Sequence, residues 1–530
     1  MNVFTTEKVA DPESLQETKA LRKKRNIMLL AFWAVFIGLG ILFYHKSVFF
    51  LPRGIHEWAQ ADRLALAMQF YDRGFNFFKP ATYSLTSIDG IVGVEFPLQA
   101  YLAALLGLVF GRGNISVMFR VLDILVAFTG FYFLFRLVLE KTNNFWLAIL
   151  PGIFMLGSPV FAYYAGNYLP DPFSTAIVFI GFYFFFRFTE KRQTKDLGIS
   201  FALFTLAGLV KTTSCIFLLS AAGFLLFISY LQPAYLTLKQ KLTLLACTLM
   251  GLGVVAGYTF YNRYLNSKYQ AWIFLADIKP IKDGEMLSYI RHRYFDVWRF
   301  EYFTRFQYLL IYASILLFLV FIISHFRKRL PYAAMVLISF VGGTFFFVLM
   351  GSQLIDHDYY IISAYYPIVM LLLLLAIFQF AASVRNKYLL SVVPVGLCIG
   401  LLFSGLKYHN YRLDERYKSF SDYYSYPWMM NGADIIKAAG VEKDARLLVL
   451  SGKSPNLALV YFDRQGFVWG ITDENMPESL AIKQKMGEMD LQYALINKPD
   501  FEKLLNARPD LMELFEAVVQ NKQFVVLRPL

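Results

Sequence analysis

The sequence predicts a polytopic α-helical membrane protein with a small α/β domain at its C-terminus. Hydrophobic residues make up 57% of the 530-residue chain, and its mean hydropathy of +0.47 lies well above that of soluble globular proteins. Apolar runs of about 18 or more residues recur along the chain, and each is long enough for a membrane-spanning helix. After residue 406 the pattern changes to alternating short strands and helices.

The net charge of +13 is explained by where the basic residues lie. They cluster between apolar segments, which is typical of cytoplasmic loops, so membrane lipids are predicted as partners and nucleic acid is not. The run Arg22–Arg25 precedes the first apolar segment, and no small-residue cleavage site follows it. This segment is interpreted as a retained signal anchor with the N-terminus in the cytoplasm.

Eleven membrane spans are predicted from apolar windows of about 20 residues. They lie near residues 27–44, 118–138, 145–165, 172–189, 197–211, 213–231, 241–262, 306–325, 331–351, 361–382 and 388–406. The apolar segment Pro97–Gly111 has only about 15 residues, too few to cross a bilayer. If it lies in the membrane plane, Arg136, Lys141 and the later basic clusters all fall on the cytoplasmic side, as the positive-inside rule requires. An in-plane juxtamembrane helix is therefore predicted.

The predicted organisation is a cytoplasmic segment 1–26, a transmembrane domain 27–406 and an extracytoplasmic α/β domain 407–530. The transmembrane domain includes a long extracytoplasmic loop, 45–117. After an aromatic-rich connector at 408–428, strands are expected at 446–450, 467–471, 491–496 and 524–527, and helices at 456–465, 479–489 and about 510–520. No glycine-rich phosphate-binding fingerprint accompanies them.

Two acidic residues of the first loop are candidates for a catalytic base. Glu57 and Asp62 lie near the start of a helical stretch that runs to about Tyr71. Side chains five residues apart on an α-helix point about 140° away from each other, so only one of the two can face a given site. Glu57, flanked by His56 and Trp58, is preferred, and Asp62 stays open as the alternative.

Three further charged residues lie at the ends of apolar segments, where a charged side chain is energetically costly and often functional. Glu95 precedes the in-plane helix, and Asp171 begins a span after a short turn. Stabilisation by a helix N-terminus is the simple explanation for both carboxylates; substrate binding by Glu95 and a catalytic role for Asp171 are the alternatives. Lys211 is the only cation between Lys195 and Lys239. It either extends to the membrane interface or contacts a phosphate.

Two later loops contain additional candidates for substrate binding. Arg291, His292 and Arg293 form a compact basic cluster that suits a phosphate as well as a membrane interface. His357-Asp358-Tyr359-Tyr360 precedes another span. An interfacial aromatic belt explains its tyrosines but not its His-Asp pair, so His357 and Tyr360 are counted among the binding candidates.

From about residue 27 to 367 the chain resembles the GT-C class of membrane glycosyltransferases, in the branch of protein O-mannosyltransferases and the lipid A aminoarabinose transferase. Residues 95–101 (EFPLQAY) are similar to the family's Glu-Lys-Pro-Pro-Leu-x-Tyr-Trp stretch, and residues 164–172 to its second-loop motif. Residues 209–211 resemble a threonine-lysine turn that contacts the lipid phosphate, and residues 358–360 a turn whose tyrosine lines the donor site. The tail resembles the soluble domain of the aminoarabinose enzyme.

The chain departs from the family pattern at two places. The family's first loop begins its helix with Asp-Glu, where this chain has His56-Glu57 with Asp62 further on. The family's lysine before the prolines is replaced by Phe96 or Glu95, depending on the alignment. These departures leave open both the base and the way the donor phosphate is held.

The resemblance implies that a sugar is transferred, with inversion, from a polyprenyl-phosphate-linked donor to a hydroxyl or phosphate of a lipid, glycan or protein acceptor. Glu57 or Asp62 would be the general base. Lys211, with Arg291 and Arg293, would stabilise the departing lipid phosphate. The implied location is the outer face of a bacterial-type inner (plasma) membrane.

Two points stay open beside this hypothesis. A divalent metal held by Glu95 with His292 or His357 is conceivable as a cofactor, but no ligand spacing supports it. The alternative functions are a non-enzymatic lipid or polysaccharide transporter or flippase, and an O-antigen-type polymerase. An interfacial enzyme is favoured over a transporter because the ionisable groups lie mostly at span ends on one side and no internal repeat is visible.

Overall fold

Helices dominate the protein, whose computed structural model describes residues 12–274, 278–414, 426–472 and 474–530. The helices of the first half are α1 (Pro12–Tyr44), α2 (Glu57–Asp72), α3 (Leu98–Phe110), α4 (Ile115–Thr142), α5 (Phe145–Leu156), α6 (Pro159–Tyr164), α7 (Pro170–Lys191), α8 (Thr194–Val210), α9 (Cys215–Leu231) and α10 (Leu238–Lys268). Those that follow are α11 (Gly284–His292), α12 (Arg299–Tyr302), α13 (Arg305–Ser324), α14 (Phe326–Leu349), α15 (Tyr360–Ser383) and α16 (Leu389–Asp414). Residues 1–11 of the predicted segment 1–26 and residues 415–425 of the predicted connector lie outside the described residues.

Within these described ranges, nine helical stretches are long and apolar enough to cross a membrane. They are Lys23–Tyr44, Arg112–Thr142, Pro170–Lys191, Thr212–Leu231, Leu238–Lys268, Arg305–Ser324, Arg329–Leu349, Tyr360–Ser383 and Leu389–Arg412. They correspond to nine of the eleven predicted spans. The spans predicted at 145–165 and 197–211 are instead the pair α5 and α6 and the 17-residue helix α8. The count of eleven therefore stays a prediction.

The break between α5 and α6 has a local cause at Ser158-Pro159. The Ser158 hydroxyl accepts a hydrogen bond from the amide of Phe161 at 3.3 Å, so it caps the N-terminus of α6. Proline suits the first position of a helix and cannot continue the preceding one. Ser158 also donates to the carbonyl of Tyr302 at 2.7 Å. The chain therefore bends here instead of forming one uninterrupted span.

Helix α7 lies in the middle of the helical domain, and its first ten residues, 170–179, are all buried. It packs closely against α4, because a β-carbon on Gly130 would lie only 2.8 Å from the Cα of Ala176. Small residues at such crossings allow two membrane helices to approach each other. This packing carries the N-terminal turn of α7, with Asp171, into the protein interior.

The first loop is bound to the C-terminal part of α10. Asn262 donates to the carbonyl of Val94 at 2.6 Å, and Asn266 accepts from the amide of Gly93 at 2.7 Å. A β-carbon at Gly93 would lie 2.3 Å from the carbonyl oxygen of Asn262, so only glycine allows this approach. The contact fixes the position of the next acidic residue, Glu95.

Helix α3 is the segment for which an in-plane orientation is predicted. Its 13 residues rise by only about 20 Å, less than the roughly 30 Å of a hydrocarbon core. It packs against α2 and α4. The length agrees with an in-plane helix, and the orientation to the bilayer stays a prediction.

The C-terminal region contains a five-stranded mixed sheet with the strand order β2-β1-β3-β5-β4. Its strands are β1 (Leu447–Val449), β2 (Gly466–Val468), β3 (Tyr493–Asn497), β4 (Phe515–Gln520) and β5 (Phe524–Pro529), and its helices are α17 (Gly432–Ala438), α18 (Leu457–Phe462), α19 (Ser479–Glu488), α20 (Lys498–Ala507) and α21 (Leu511–Leu514). Strand β1 pairs in parallel with β2 and β3, whereas β5 pairs antiparallel with β3 and β4. The predicted α/β character is confirmed.

One predicted element of this domain is wrong. A helix was expected at about 510–520, but α21 ends at Leu514 and β4 follows at once. Asn521 closes a tight turn by accepting the amides of Gln523 and Phe524 at 2.7 and 2.8 Å. The resulting hairpin pairs β4 with β5, and this tertiary pairing outweighs the helical preference of the segment.

The C-terminal domain docks onto the first loop through backbone and charge contacts. Ser84 bridges Gly466 in parallel, so the loop extends the β2 edge of the sheet. Arg112 binds the carboxylates of both Asp72 and Asp463, with N–O distances of 2.6 to 2.9 Å. Bidentate arginine–carboxylate pairs are strong and directional. The domain is therefore held in a defined position over α2.

Candidate active site

A cavity of about 1740 Å³ lies where the first loop meets α8, α9, α10, α14 and the loop before α15. Its polar end is lined by residues that include His56, Asp62, Arg63, Glu95, Lys211, Arg293, His357, Asp358 and Tyr360. Its other end is apolar and is formed largely by α9 and α14. There Leu219, Val341 and Phe345 line the cavity and remain 46%, 57% and 63% exposed. This end of the cavity is therefore lined by apolar side chains of two helices that are long and apolar enough to cross a membrane.

Lys211 lies at the centre of the polar end. Helix α8 ends at Val210, and Lys211 adopts an extended conformation that begins the turn into α9. Its amino group lies 2.9 Å from Glu95 Oε1 and 3.4 Å from Asp171 Oδ2. Ser363 donates to the other oxygen of Asp171 at 2.8 Å. Three residues predicted separately from the sequence thus form one ion cluster, in which Lys211 and Asp171 are buried and Glu95 is half-buried.

Glu95 is held between two cations. One carboxylate oxygen faces Lys211, and the other accepts a hydrogen bond from Arg63. Burial by itself would raise the pKa of Glu95, but the charges of Lys211 and Arg63 outweigh it and lower that pKa below its ordinary value. Glu95 is therefore an anion in a fixed position and is poorly suited to take up a proton.

The two candidate bases on α2 face different surroundings, as their helical spacing predicts. Asp62 lines the cavity and accepts a hydrogen bond from the Asn456 side chain at 2.8 Å. Burial raises the pKa of Asp62 to about 6, against the opposing effects of Asn456 and Arg63. Glu57 is not among the residues that line the cavity; it is fully buried and accepts from the amide of Gly54 at 3.2 Å.

The protonation state of Glu57 also makes it a poorer candidate than Asp62 for the catalytic base, in contrast to the preference from the sequence. Burial raises the pKa of Glu57 to about 8, with only the Gly54 amide opposing the shift. A carboxyl group with this pKa is mostly protonated at neutral pH, whereas Asp62 is mostly ionised. On position and on charge, the geometry favours Asp62 as the base.

A histidine pair and an aspartate form another part of the polar end of the cavity. The rings of His56 and His357 stack with centroids 5.4 Å apart, and His56 Nε2 lies 3.3 Å from Asp358 Oδ1. Burial and the nearby His56 lower the pKa of His357 to about 4. His357 Nδ1 contacts the carbonyl of Gln353 at 2.7 Å. A neutral ring must donate at this contact, which leaves Nε2 as an acceptor.

The Asp358 carboxylate has two further partners. Arg412 forms an ion pair with it, and the hydroxyl of Tyr164 donates to it at 2.6 Å. Tyr360 lies on the cavity side of the same loop, with its ring centroid 4.8 Å from the Lys211 amino group. All four residues of the His-Asp-Tyr-Tyr stretch line the cavity, and their role in binding stays a prediction.

The basic cluster after α10 is divided by the structure. Arg293 lines the cavity, whereas Arg291 is exposed outside it and His292 pairs with Asp296 at 2.9 Å on the surface. Among the described residues, no three histidine, cysteine, aspartate or glutamate side chains are grouped to hold a metal ion. Both oxygens of Glu95 already engage cations. Glu95, His292 and His357 therefore do not form a donor set for a divalent metal.

Sequence reasoning missed four residues that the structure brings into the site. They are Arg63 on Glu95, Ser363 on Asp171, Arg412 on Asp358 and Asn456 on Asp62. Each partner lies far along the chain from the carboxylate that it contacts. Only the position of Arg63 beside Asp62 carried a local signal, because it places a cation next to a candidate base.

Comparison with known proteins agrees with this architecture. Residues 95–264 match the family described as dolichyl-phosphate-mannose-protein mannosyltransferase. The crystal structure of ArnT from Cupriavidus metallidurans in the apo state has a TM-score of 0.57 to this chain, at 12% identity, covering 94% of this chain and 97% of that chain. The two proteins therefore share the same overall fold. The ArnT structure bound to undecaprenyl phosphate gives a TM-score of 0.51 with the same identity and coverage.

The GT-C resemblance predicted from the sequence is thus confirmed at the level of the fold. The family match includes Glu95, Asp171 and Lys211, whereas Asp62 and His357 lie on either side of it. No curated protein matches the chain in sequence.

Proposed function

We propose that this protein transfers a sugar from a polyprenyl-phosphate-linked donor to an acceptor hydroxyl or phosphate. The observation that carries the proposal is the lining of the cavity, which joins an apolar end formed by α9 and α14 to a polar end with Lys211 and Asp62. A polyprenyl-phosphate sugar has the matching parts, an apolar chain, a phosphate and a sugar. The undecaprenyl phosphate bound by ArnT, a protein of the same fold, supports this donor class.

The proposed reaction uses Asp62 as the general base. Its carboxylate takes the proton from the acceptor as the acceptor oxygen attacks the anomeric carbon, and the bond from that carbon to the lipid phosphate oxygen breaks with inversion. Lys211, with Arg293 on the same cavity, stabilises the negative charge of the departing phosphate. Glu95 and Asp171 hold Lys211 in position. Glu57 remains the second candidate for the base.

We further propose that the site lies at the outer face of a bacterial-type inner membrane. The basic loops predicted to be cytoplasmic leave the first loop and the C-terminal domain on the opposite side. The extensive contact between these two parts supports their placement on the same side. An acceptor lipid, glycan or protein would then reach Asp62 from the outer aqueous phase.

The proposal is tested with purified protein in detergent and a polyprenyl phosphate that carries one labelled sugar. We expect the label to be released or transferred, with free polyprenyl phosphate as the co-product, as measured by mass spectrometry. Unlabelled undecaprenyl phosphate should compete with the donor, and a straight-chain alcohol of similar length serves as the control for apolar binding. If neither donor nor undecaprenyl phosphate binds, the proposed substrate class is wrong.

The rate of transfer should fall as the pH is lowered through about 6. The base acts only when ionised, and burial raises the pKa of Asp62 to about 6. Below that pH the protonated fraction grows, so kcat/KM should decrease by about tenfold for each pH unit. The measurement is kcat/KM from about pH 5 to pH 8, the range that brackets this pKa. A profile that is flat across this range would contradict Asp62 as the base.

A further inference from the structure

The C-terminal domain reaches the proposed base directly. Helix α18 packs on α2, and Asn456, the residue before α18, donates from its side-chain nitrogen to Asp62 Oδ1 at 2.8 Å. Asn456 is fully buried. On the same helix, the Tyr461 hydroxyl donates to the carbonyl of Pro52 at 3.0 Å. The first loop is thus held by this helix at more than one point.

The orientation of the Asn456 amide is determined by its two partners. Its oxygen accepts a hydrogen bond from the backbone amide of Ser84 at 3.0 Å. A backbone amide only donates, so the side-chain oxygen must face Ser84 and the nitrogen must face Asp62. Ser84 is itself fixed by its bridge to Gly466 at the sheet edge. The donor that meets Asp62 is therefore locked in place by the fold of the C-terminal domain.

We propose that Asn456 is a positioning residue through which the C-terminal domain orients the base of the catalytic site. By donating to Oδ1 it fixes the rotation of the Asp62 carboxylate and leaves the other oxygen available for the acceptor proton. It also stabilises the ionised form, because a hydrogen bond to a carboxylate favours the charged state. This inference rests on the proposed function only in so far as it takes Asp62 for the base.

Arg63 lies next to Asp62 on α2, and Glu95, Lys211 and Arg263 line the same cavity from the first loop, the α8–α9 turn and α10. The cavity that Asp62 lines also contains His56, Arg293, Asp356, His357 and Asp358. Of these, Arg63 acts noticeably on Asp62 and favours its ionised form, as Asn456 does. A change at Asn456 that leaves Arg63 in place should therefore alter the pKa of Asp62, while the Asp62 side chain stays in the cavity.

The test is Asn456→Asp, which retains the oxygen that accepts from Ser84 but replaces the donor with a second carboxyl group. Two carboxylates at hydrogen-bonding distance cannot both ionise easily, so the acidic limb of the kcat/KM profile should move to higher pH by about one unit or more. The effect should appear in kcat more than in the KM for the donor, since Asn456 does not line the donor cavity. An unchanged acidic limb would overturn the proposal.

A second measurement does not depend on sugar transfer. A hydrophobic carbodiimide labels protonated carboxyl groups, so the pH midpoint of labelling at Asp62, read by peptide mass spectrometry, should rise in Asn456→Asp and to a smaller extent in Asn456→Ala. This shift in an inactive preparation would support the positioning role even if the proposed function failed. If Asn456→Asp does not fold, the labelling midpoint of Asn456→Ala decides alone.

Tyr461→Phe is the matched control at the same interface. It removes the hydroxyl contact to Pro52 but leaves Asn456 and Asp62 in place. We expect a lower thermal midpoint with an unchanged labelling midpoint at Asp62. An equal shift of the labelling midpoint in Tyr461→Phe would mean that loosened docking explains the effect, and Asn456 would then have a merely structural role.

Discussion

Replacing Asp62 with asparagine should abolish sugar transfer without unfolding the protein. Asparagine has nearly the same shape, and its side-chain oxygen can still accept the hydrogen bond from Asn456, but it cannot take up a proton from the acceptor. General-base catalysis typically contributes about 10²- to 10⁴-fold to a rate, so a loss of this size is expected in kcat. The measurement is single-turnover transfer from the labelled polyprenyl-phosphate sugar, beside a thermal melt of both proteins.

Glu57→Gln is the comparison that decides between the two bases. Glutamine can accept the amide of Gly54 as Glu57 does, and it resembles the protonated carboxyl group that burial favours there. A much smaller loss than in Asp62→Asn is therefore expected. If Glu57→Gln lost transfer while Asp62→Asn kept it, the assignment of the base would have to be reversed.

Replacing Lys211 with methionine should weaken both the fold and donor binding. The Lys211 side chain is only 8% exposed, and its amino group lies 2.9 Å from Glu95 and 3.4 Å from Asp171. Removing one member of a buried ion pair typically costs about 3–5 kcal/mol, because the remaining charge is left without its partner. The free energy of unfolding in detergent and the Kd for undecaprenyl phosphate are the two measurements.

The double variant Lys211→Met/Asp171→Asn separates these two effects. It removes the stranded charge of Asp171, while Arg63 still neutralises Glu95, so most of the lost stability should return. Donor binding should not return, because no cation replaces Lys211 beside the phosphate. Recovery of wild-type affinity in the double variant would contradict the role of Lys211 as the phosphate contact.

Much of the helical domain was predictable because apolar length is a local property. The limits of α2 and the brevity of α3 follow from residues that are close together in the sequence. The break at Ser158-Pro159 also has a local signal in the sequence. It was not predicted, because one apolar window covers the whole segment 145–165. The strand β4 was not predictable in the same way, because its conformation depends on pairing with β5 across the turn at Asn521.

The site was predicted less completely, for a physical reason. Helix geometry established that Glu57 and Asp62 diverge, but which of them faces the cavity depends on how α2 packs against α3 and α18. Lys211 was recognisable by its isolation between apolar segments. Its two carboxylate partners, Glu95 and Asp171, were recognised separately. They are brought together by the packing of α7 beside α8 and by the contact of the first loop with α10.

The contact between Asn456 and Asp62 also has a consequence for biosynthesis. The two residues are 394 positions apart, and at about 5–20 residues per second a ribosome needs roughly 20–80 seconds to make the intervening chain. During that interval the helices of the transmembrane domain are already being inserted, but the carboxylate lacks its amide partner. The proposed site would thus be complete only when synthesis is nearly finished, and a chain interrupted before residue 456 would lack the amide partner of Asp62.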